Sequence, residues 1–285
     1  MQQYWREHAQ QRVDVDFERD PEGLSNVCYV GAPLWLNEHH ARQQVRVFDH
    51  LLSQIDPPSS PRALDVGCGT GRWSRRLDAA GFGVTGIDLQ PELIERNASS
   101  ESAIDFYCSS LQDFETDDRY DLITSITVIQ HVPFEEQINL VARIGELLRP
   151  GGRVIILENI RDQTPHVFAR TTSSWVQLFE DHGIQIVASH KYDYNPAITL
   201  LSNIQKRLSQ LKPDGADADP TSVSDYNQAK TSPQGSRSVK SILRRGAAVA
   251  RRIAGFIDAW LEPRLIERQS SMTAGHCGFL FVKPE

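Results

Sequence analysis

Residues 64–71 read Leu64-Asp65-Val66-Gly67-Cys68-Gly69-Thr70-Gly71. Three glycines at alternate positions follow a short apolar run, 62–66, and precede a helical pattern through Trp73 and Leu77 that stops at Gly81. Glycine lacks a Cβ, so such a strand–loop–helix junction can turn tightly and admit a ligand close to the backbone. The spacing is Gly-x-Gly-x-Gly. It differs from the Gly-x-Gly-x-x-Gly dinucleotide fingerprint, and the Lys-Ser/Thr of a phosphate-binding P-loop is absent. Asp88 lies near the end of the next apolar run, 84–89, where a carboxylate can accept hydrogen bonds from both hydroxyls of a ribose. Loop and carboxylate together point to a ligand with a ribose and no phosphate.

Outward from this junction, strand-like and helix-like stretches alternate. Further strands are expected at 104–108, 120–126, 153–158 and 184–191. Helices are expected from Pro91, over 134–148 up to Pro150-Gly151-Gly152, and over 174–182 with a Ser174/Gln177 capping box and Gly183 as terminator. Upstream, Asn37 is expected to cap a helix through Ala41, Val45, Phe48 and Leu52 that Pro57-Pro58 ends. The pattern predicts an α/β, Rossmann-like fold: a seven-stranded, mostly parallel sheet with helices on both faces. Four segments follow: an N-terminal helical cap (1–60), the Rossmann-like core (61–203), a flexible linker with a basic amphipathic helical insert (204–268), and the final strand of the core sheet (269–285). Residues 206–237 are rich in Ser, Asp, Gln, Gly and Pro, which suits a linker, and the insert's helix is expected over 239–261.

The chain resembles the class I S-adenosylmethionine (SAM)-dependent methyltransferases over 62–160, about a third of its length. Three blocks carry the resemblance: the glycine loop, Val84-Thr85-Gly86-Ile87-Asp88-Leu89, and Leu147-Leu148-Arg149-Pro150-Gly151-Gly152. The resemblance implies SAM as cofactor, S-adenosylhomocysteine as product, and a ligand path along the sheet's C-terminal edge. By it, Gly67, Gly69 and Gly71 pass the methionine moiety, Asp65 orients the loop, Asp88 binds the ribose and Leu89 lies against the adenine. Where the family often has Gly-Asp, this chain has Ser109-Ser110-Leu111, which leaves Ser110 and the Leu111 backbone at the adenine. Ile126 and Thr127 edge the methionine pocket. Trp73 is expected to pack its helix on the sheet.

Methyl transfer to a hydroxyl needs alignment and a proton acceptor. His131, in Val128-Ile129-Gln130-His131-Val132 after the fourth strand, has a side chain suited to that task. It serves either as general base or as a loop histidine that closes the turn. Glu158, Asn159, His166, Tyr192 and Tyr194 are weaker candidates for the same task and read first as ordinary rim residues. Tyr4, Trp5, Tyr29, Trp35 and His39 belong to a cap that either covers the cofactor and partly shapes the acceptor pocket or packs for stability alone. No His/Cys/Asp cluster has metal-ligand spacing along the sequence, so no metal is expected. Nothing resembles a nucleophile elbow.

Composition bounds the partners. The chain has 285 residues, is 40% hydrophobic and carries a formal charge of −7. Residues 205–268 carry a net +5 and the remainder −12, an acidic body that disfavours nucleic acid as substrate. The scattered Cys28, Cys68, Cys108 and Cys277 suit a reducing cytoplasm, and neither a membrane span nor a signal peptide is expected. The basic insert is open to three readings: a lid, a membrane-surface helix over 239–261, or an element forming a homodimer. The leading expectation is O-methylation of a small molecule or glycan. A quinone-type, lipid-linked or peptide acceptor and a non-catalytic SAM-binding regulatory subunit are the alternatives; the glycine spacing disfavours an NAD-dependent oxidoreductase.

Overall fold

A computed structural model describes residues 18–24, 28, 34–100, 103–161, 166–197, 200–201, 239–268 and 274–285. Tyr4, Trp5, Tyr29 and the expected linker at 206–237 lie outside them. The elements are α1 (Leu34–Leu52), β1 (Arg62–Val66), α2 (Arg72–Ala79), β2 (Gly83–Asp88), α3 (Pro91–Ser100), β3 (Asp105–Cys108), β4 (Tyr120–Ile126), α4 (Phe134–Leu147), β5 (Leu148–Asn159), α5 (Thr172–Glu180), β6 (Gln185–Tyr192), α6 (Val239–Glu267) and β7 (His276–Val282).

The seven strands form one sheet in the order β3-β2-β1-β4-β5-β7-β6. The first five run parallel to one another, while β7 runs antiparallel to both β5 and β6. The expected Rossmann-like sheet is therefore present, and the detour after β6 returns the chain to its interior. Alternate residues along each strand point to opposite faces. Leu64, Ile123, Ile156 and Phe279 pack with α4 and α5 through Ile144 and Trp175. Ala63, Leu122, Leu157 and Leu280 pack with α1 and α2 through Phe48, Trp73 and Leu77. The Trp73 ring lies 4.6 Å from that of Phe48, tilted by 39°, in the packing role expected of it.

Local expectations shift at three places. Asn37 does not cap α1; the helix starts at Leu34 and Asn37 is buried within it. The cap of α5 is Thr171, whose hydroxyl accepts the Ser174 N–H at 3.2 Å, so Ser174 is recipient rather than cap. β5 begins five residues early, because Pro150-Gly151-Gly152 is absorbed as an irregularity between the Tyr120/Leu148 and Leu122/Arg153 pairs. Gly151 N–H donates to the Lys283 carbonyl and Lys283 N–H to that of Gly152, each at 2.9 Å, which holds this stretch on the sheet.

Candidate cofactor and acceptor site

The strand order reverses between β1 and β4, and ligands of open α/β sheets bind at the C-terminal edge beside such a switch point. The glycine loop leaves β1 there. Gly67 has φ +69°, and a Cβ on it would lie 2.4 Å from Val128 Cγ2, so both its conformation and its space require glycine. Gly67 and Cys68 donate their N–H groups to the Ile87 carbonyl at 2.8 and 2.9 Å. Gly69 donates to Asp88 Oδ2 at 2.8 Å and its carbonyl accepts from Asn97 Nδ2 at 2.8 Å. Gly71, left-handed at φ +76°, opens α2.

Asp88 is half-buried, and Gln90 N–H donates to its other oxygen at 3.0 Å. These two backbone donors fix the carboxylate in place. Leu89 is partly exposed beside it. Ser110 Oγ donates to Asp113 Oδ2 at 2.6 Å and accepts the Asp113 N–H, which closes the turn after β3. Leu111 sends its side chain into the core.

Asp65 is buried. Its carboxylate accepts from Ser74 Oγ at 2.7 Å and Thr124 Oγ1 at 2.9 Å, tying α2 to β4, and burial pushes it up to about 6.

Across the switch point, Ile126 is buried and Thr127 sits at φ +57°, an unusual conformation for a β-branched residue. The surroundings hold it there. Thr127 N–H donates to the Leu157 carbonyl at 2.8 Å. Glu158, fully buried at the end of β5, accepts the N–H groups of Val128, Ile129 and Gln130 at 3.3, 3.0 and 3.1 Å. Burial pushes its carboxyl up to about 8 against the pull of these donors. Gln137 Nε2 donates to the carbonyls of Ile129, Val132 and Phe168 at 3.2, 2.8 and 3.1 Å. Strain kept in place by such bracing is a frequent mark of a functional site.

His131 closes the single 3₁₀ turn Ile129–His131 and is partly exposed. Its Nδ1 donates to the His166 carbonyl at 2.8 Å, and its Nε2 faces Gln130 Nε2 at 3.3 Å. A carbonyl only accepts, so the ring proton is on Nδ1 and the Nε2 lone pair is the basic position. Glu158, Asn159, Tyr192 and Tyr194 are not rim residues: all four are buried, at 0, 8, 0 and 1% exposure. Glu158 braces the turn, and the Asn159 carbonyl receives Trp175 Nε1–H at 3.0 Å.

Two features escaped the sequence. The first is Arg72, the opening residue of α2, buried beside the glycine loop with its guanidinium 4.4 Å over the Trp73 ring. Its Nη2 donates to Gln44 Oε1 at 2.6 Å, whereas Nε and Nη1 have no hydrogen-bond partner and the Glu22 carboxylate lies 3.9 Å from Nη1. The second is a buried trio at the same sheet edge. Asp193 accepts from His40 Nδ1 at 3.3 Å and His276 Nδ1 at 3.0 Å, and from Asn195 Nδ2 at 2.6 Å. The two imidazoles hold its carboxyl well below the usual carboxylate range. His40, Asp193 and His276 offer ligand atoms within 4.8 Å of one another, the spacing a metal would need, which the distances along the sequence concealed. His39 joins the rim of this trio through Gln43 and Asn195 at 2.8 and 3.2 Å.

The methyltransferase-domain family matches residues 38–192, more than half of the chain. The chain belongs to this family, within the class I SAM-dependent methyltransferases. It is 34% identical over 136 residues to a ubiquinone biosynthesis O-methyltransferase of Xanthomonas campestris, a match covering 46% of this chain and 54% of that one. A relative of the same name from Xylella fastidiosa is 35% identical over 123 residues, covering 41% and 48%. The chain thus spans about half the length of the curated relatives it matches. Among solved structures, the protein described as a methyltransferase in complex with the Haloferax volcanii Trm112 methyltransferase activator has a TM-score of 0.52 at 16% identity, covering 87% of this chain and 94% of that one. One described as a sarcosine dimethylglycine methyltransferase, from Galdieria sulphuraria, has a TM-score of 0.50 at 14% identity, covering 84% and 85%. At these identities the structures speak for the fold alone.

Proposed function

We propose that the chain uses SAM to methylate a hydroxyl group of a small-molecule acceptor. The observation that carries this reading is the pairing, at one switch point, of a glycine loop locked to Asp88 with a braced turn that presents the His131 Nε2 lone pair. The residues fit SAM. Asp88 offers a fixed, half-buried carboxylate to the ribose, Leu89 and the Ser110–Leu111 turn border the adenine, and Gly67, Gly69, Gly71, Ile126 and Thr127 border the methionine. Arg72 adds a buried guanidinium whose Nε and Nη1 make no hydrogen bond, with Glu22 at ion-pair distance from Nη1, a cation suited to the carboxylate that SAM carries.

Bound SAM supplies a methyl group on a sulfonium, which becomes a thioether when the methyl bonds to the acceptor oxygen. The chain's own residues do the rest. The glycine loop and Asp88 fix the donor, Thr127 and the 128–131 turn set the wall opposite, and His131 Nε2 takes the hydroxyl proton once it exchanges its Gln130 contact for the acceptor. General-base assistance is worth about 10²–10⁴ in rate. A phenolic acceptor on a quinone-type or lipid-linked molecule is the second reading. It is supported by the name of the curated relatives and by the exposed apolar face of α6.

The deciding experiment incubates the protein with methyl-labelled SAM and extract, then separates glycan, lipid, water-soluble, protein and RNA fractions. Label in a small-molecule fraction, lost to base-stable O-methyl analysis in His131→Ala at unchanged SAM affinity, is the expected result. Label in the protein fraction, or SAM binding with no transfer to any fraction, would overturn the proposal.

A further inference from the structure

Helix α6 turns its acid inward and its oil outward. Asp258, fully buried, accepts the Ala197 N–H at 2.8 Å, and Glu262, 3% exposed, accepts from Arg46 Nη1 at 2.8 Å. The helix sits so close to α1 that a Cβ on Gly255 would lie 2.5 Å from the Trp35 ring. The other side is bare. Val249, Ile253, Phe256, Ile257 and Trp260 are 58, 55, 77, 46 and 65% exposed. Their steps of three and four residues gather them on one stripe of the helix. Arg252 and Arg264 are exposed alongside, and the Arg264 guanidinium lies 4.5 Å over the Trp260 ring. Among the described side chains of α6, none on this outward side is acidic.

A contiguous apolar stripe of this kind marks an interaction surface, and what it meets is decided by the charge around it. We infer that the outward face of α6 docks on an anionic lipid bilayer, lying in the plane of the headgroups. Phe256 and Trp260 then enter the acyl boundary while Arg252 and Arg264 reach lipid phosphates. A second copy of the chain suits the face less well, because it brings arginines toward arginines and no acid between them. Arg244, Arg245 and Arg251 add to the positive charge of the same helix sequence. No helix among the described residues is long and apolar enough to cross a membrane, which fits a helix that lies on the bilayer. α6 packs on α1 and β6, the elements that bring His40 and Asp193 to the sheet edge. A docked helix therefore sets the acceptor site beside the bilayer; that last clause rests on the proposed methyl transfer, whereas the docking itself does not.

The test is flotation of the full chain with phosphatidylcholine vesicles, with and without phosphatidylglycerol, at low and high salt. Expected is co-flotation with the anionic vesicles at low salt, weakened by salt, with a blue shift of tryptophan emission. Phe256→Ser/Trp260→Ser and Arg252→Glu/Arg264→Glu should each reduce partitioning by at least about tenfold. Their melting temperature and SAM affinity should match the parent chain, which separates lost docking from lost folding. Absence of flotation with anionic vesicles, or flotation that both double variants retain, would overturn the inference. So would a lipid-free dimer that Phe256→Ser/Trp260→Ser dissociates, since the stripe would then belong to a second copy. SAM turnover on a water-soluble acceptor, assayed without vesicles, tests the methyl-transfer reading separately.

Discussion

Asn159 donates its backbone N–H to Gln130 Oε1 at 2.6 Å, and this bond decides which end of the Gln130 amide meets His131. With the oxygen engaged by β5, the nitrogen end is left to face His131 Nε2. The imidazole is aimed from one side by His166 and from the other by a strand terminus acting through Gln130. Gln130→Ala should lower kcat by about tenfold, the effect of roughly 1.4 kcal/mol of lost orientation, with SAM affinity changed by less than about twofold. Steady-state kinetics alongside calorimetric SAM titration would read both.

Gly67 faces a double obstacle to any side chain, its positive φ and the Val128 methyl group. Gly67→Ala should cost about 1–2 kcal/mol from conformation alone, with the collision added. Val128→Ala in the same chain should restore the part due to collision and leave the conformational part. Urea unfolding of the two single variants and the double variant would separate the terms.

Two buried carboxyls set a pH dependence. Glu158 is pushed from 4.5 up to about 8, and Asp65 from 3.8 up to about 6. In each case the folded chain keeps a proton that the unfolded chain has released, so this stabilisation is complete below the unfolded value and is lost as pH rises through the folded one. The Asp65 part should be gone by about pH 6 and the Glu158 part by about pH 8, with a slope near 1.4 kcal/mol per pH unit for each proton. Glu158→Gln should flatten the fall between pH 6 and 8 and cut the fall between about pH 4.5 and 6 back to the Asp65 share. Denaturation midpoints at pH 5, 6.5 and 8.5 would test it.

Asp193 accepts hydrogen bonds from two imidazoles in a place where Gly275 leaves it room; a Cβ on Gly275 would stand 2.3 Å from Asp193 Oδ2. Asp193→Ala should cost on the order of 3–5 kcal/mol, because it strands His40 and His276. Gly275→Ala should also destabilise, yet the two changes together should cost less than their sum. A double-mutant cycle in thermal or urea unfolding measures that coupling.

Asp88→Ala should weaken SAM binding at least about tenfold, and a change under about threefold would exclude the ribose role. Arg72→Gln should weaken SAM as well, but not decarboxylated SAM, if its partner is the carboxylate. Titration of both ligands into both variants distinguishes the two contacts.

The sheet was legible because its signals are local. Glycines after a short apolar run, an acid at the next strand end and helical spacing between them are all read within about thirty residues. Boundaries slipped where tertiary contacts overrode local signals: Lys283 holds Gly151 and Gly152 on the sheet, and α1 starts three residues before Asn37. The trio escaped for a different reason. His40 and Asp193 are separated by 153 positions, and Asp193 and His276 by 83, so no window of sequence contains a pattern. Arg72 was passed over because an arginine at a helix start reads as a solvated charge until its burial is seen. Glu158 and Tyr192 read as rim residues because strand ends usually meet solvent; here the 128–131 turn and α1 cover them.

The placement of β7 sets the order in which the chain can finish folding. β5 and β6 flank β7 and pair with it rather than with each other. During synthesis both strands leave the ribosome long before residues 276–282 do, and each waits with an unsatisfied row of backbone donors and acceptors. Closure of the sheet is therefore a late, long-range event, of the kind that folds slowly. A nascent chain halted before His276 would carry the glycine loop, Asp88 and His131 but expose two sticky edges, a natural handle for chaperones.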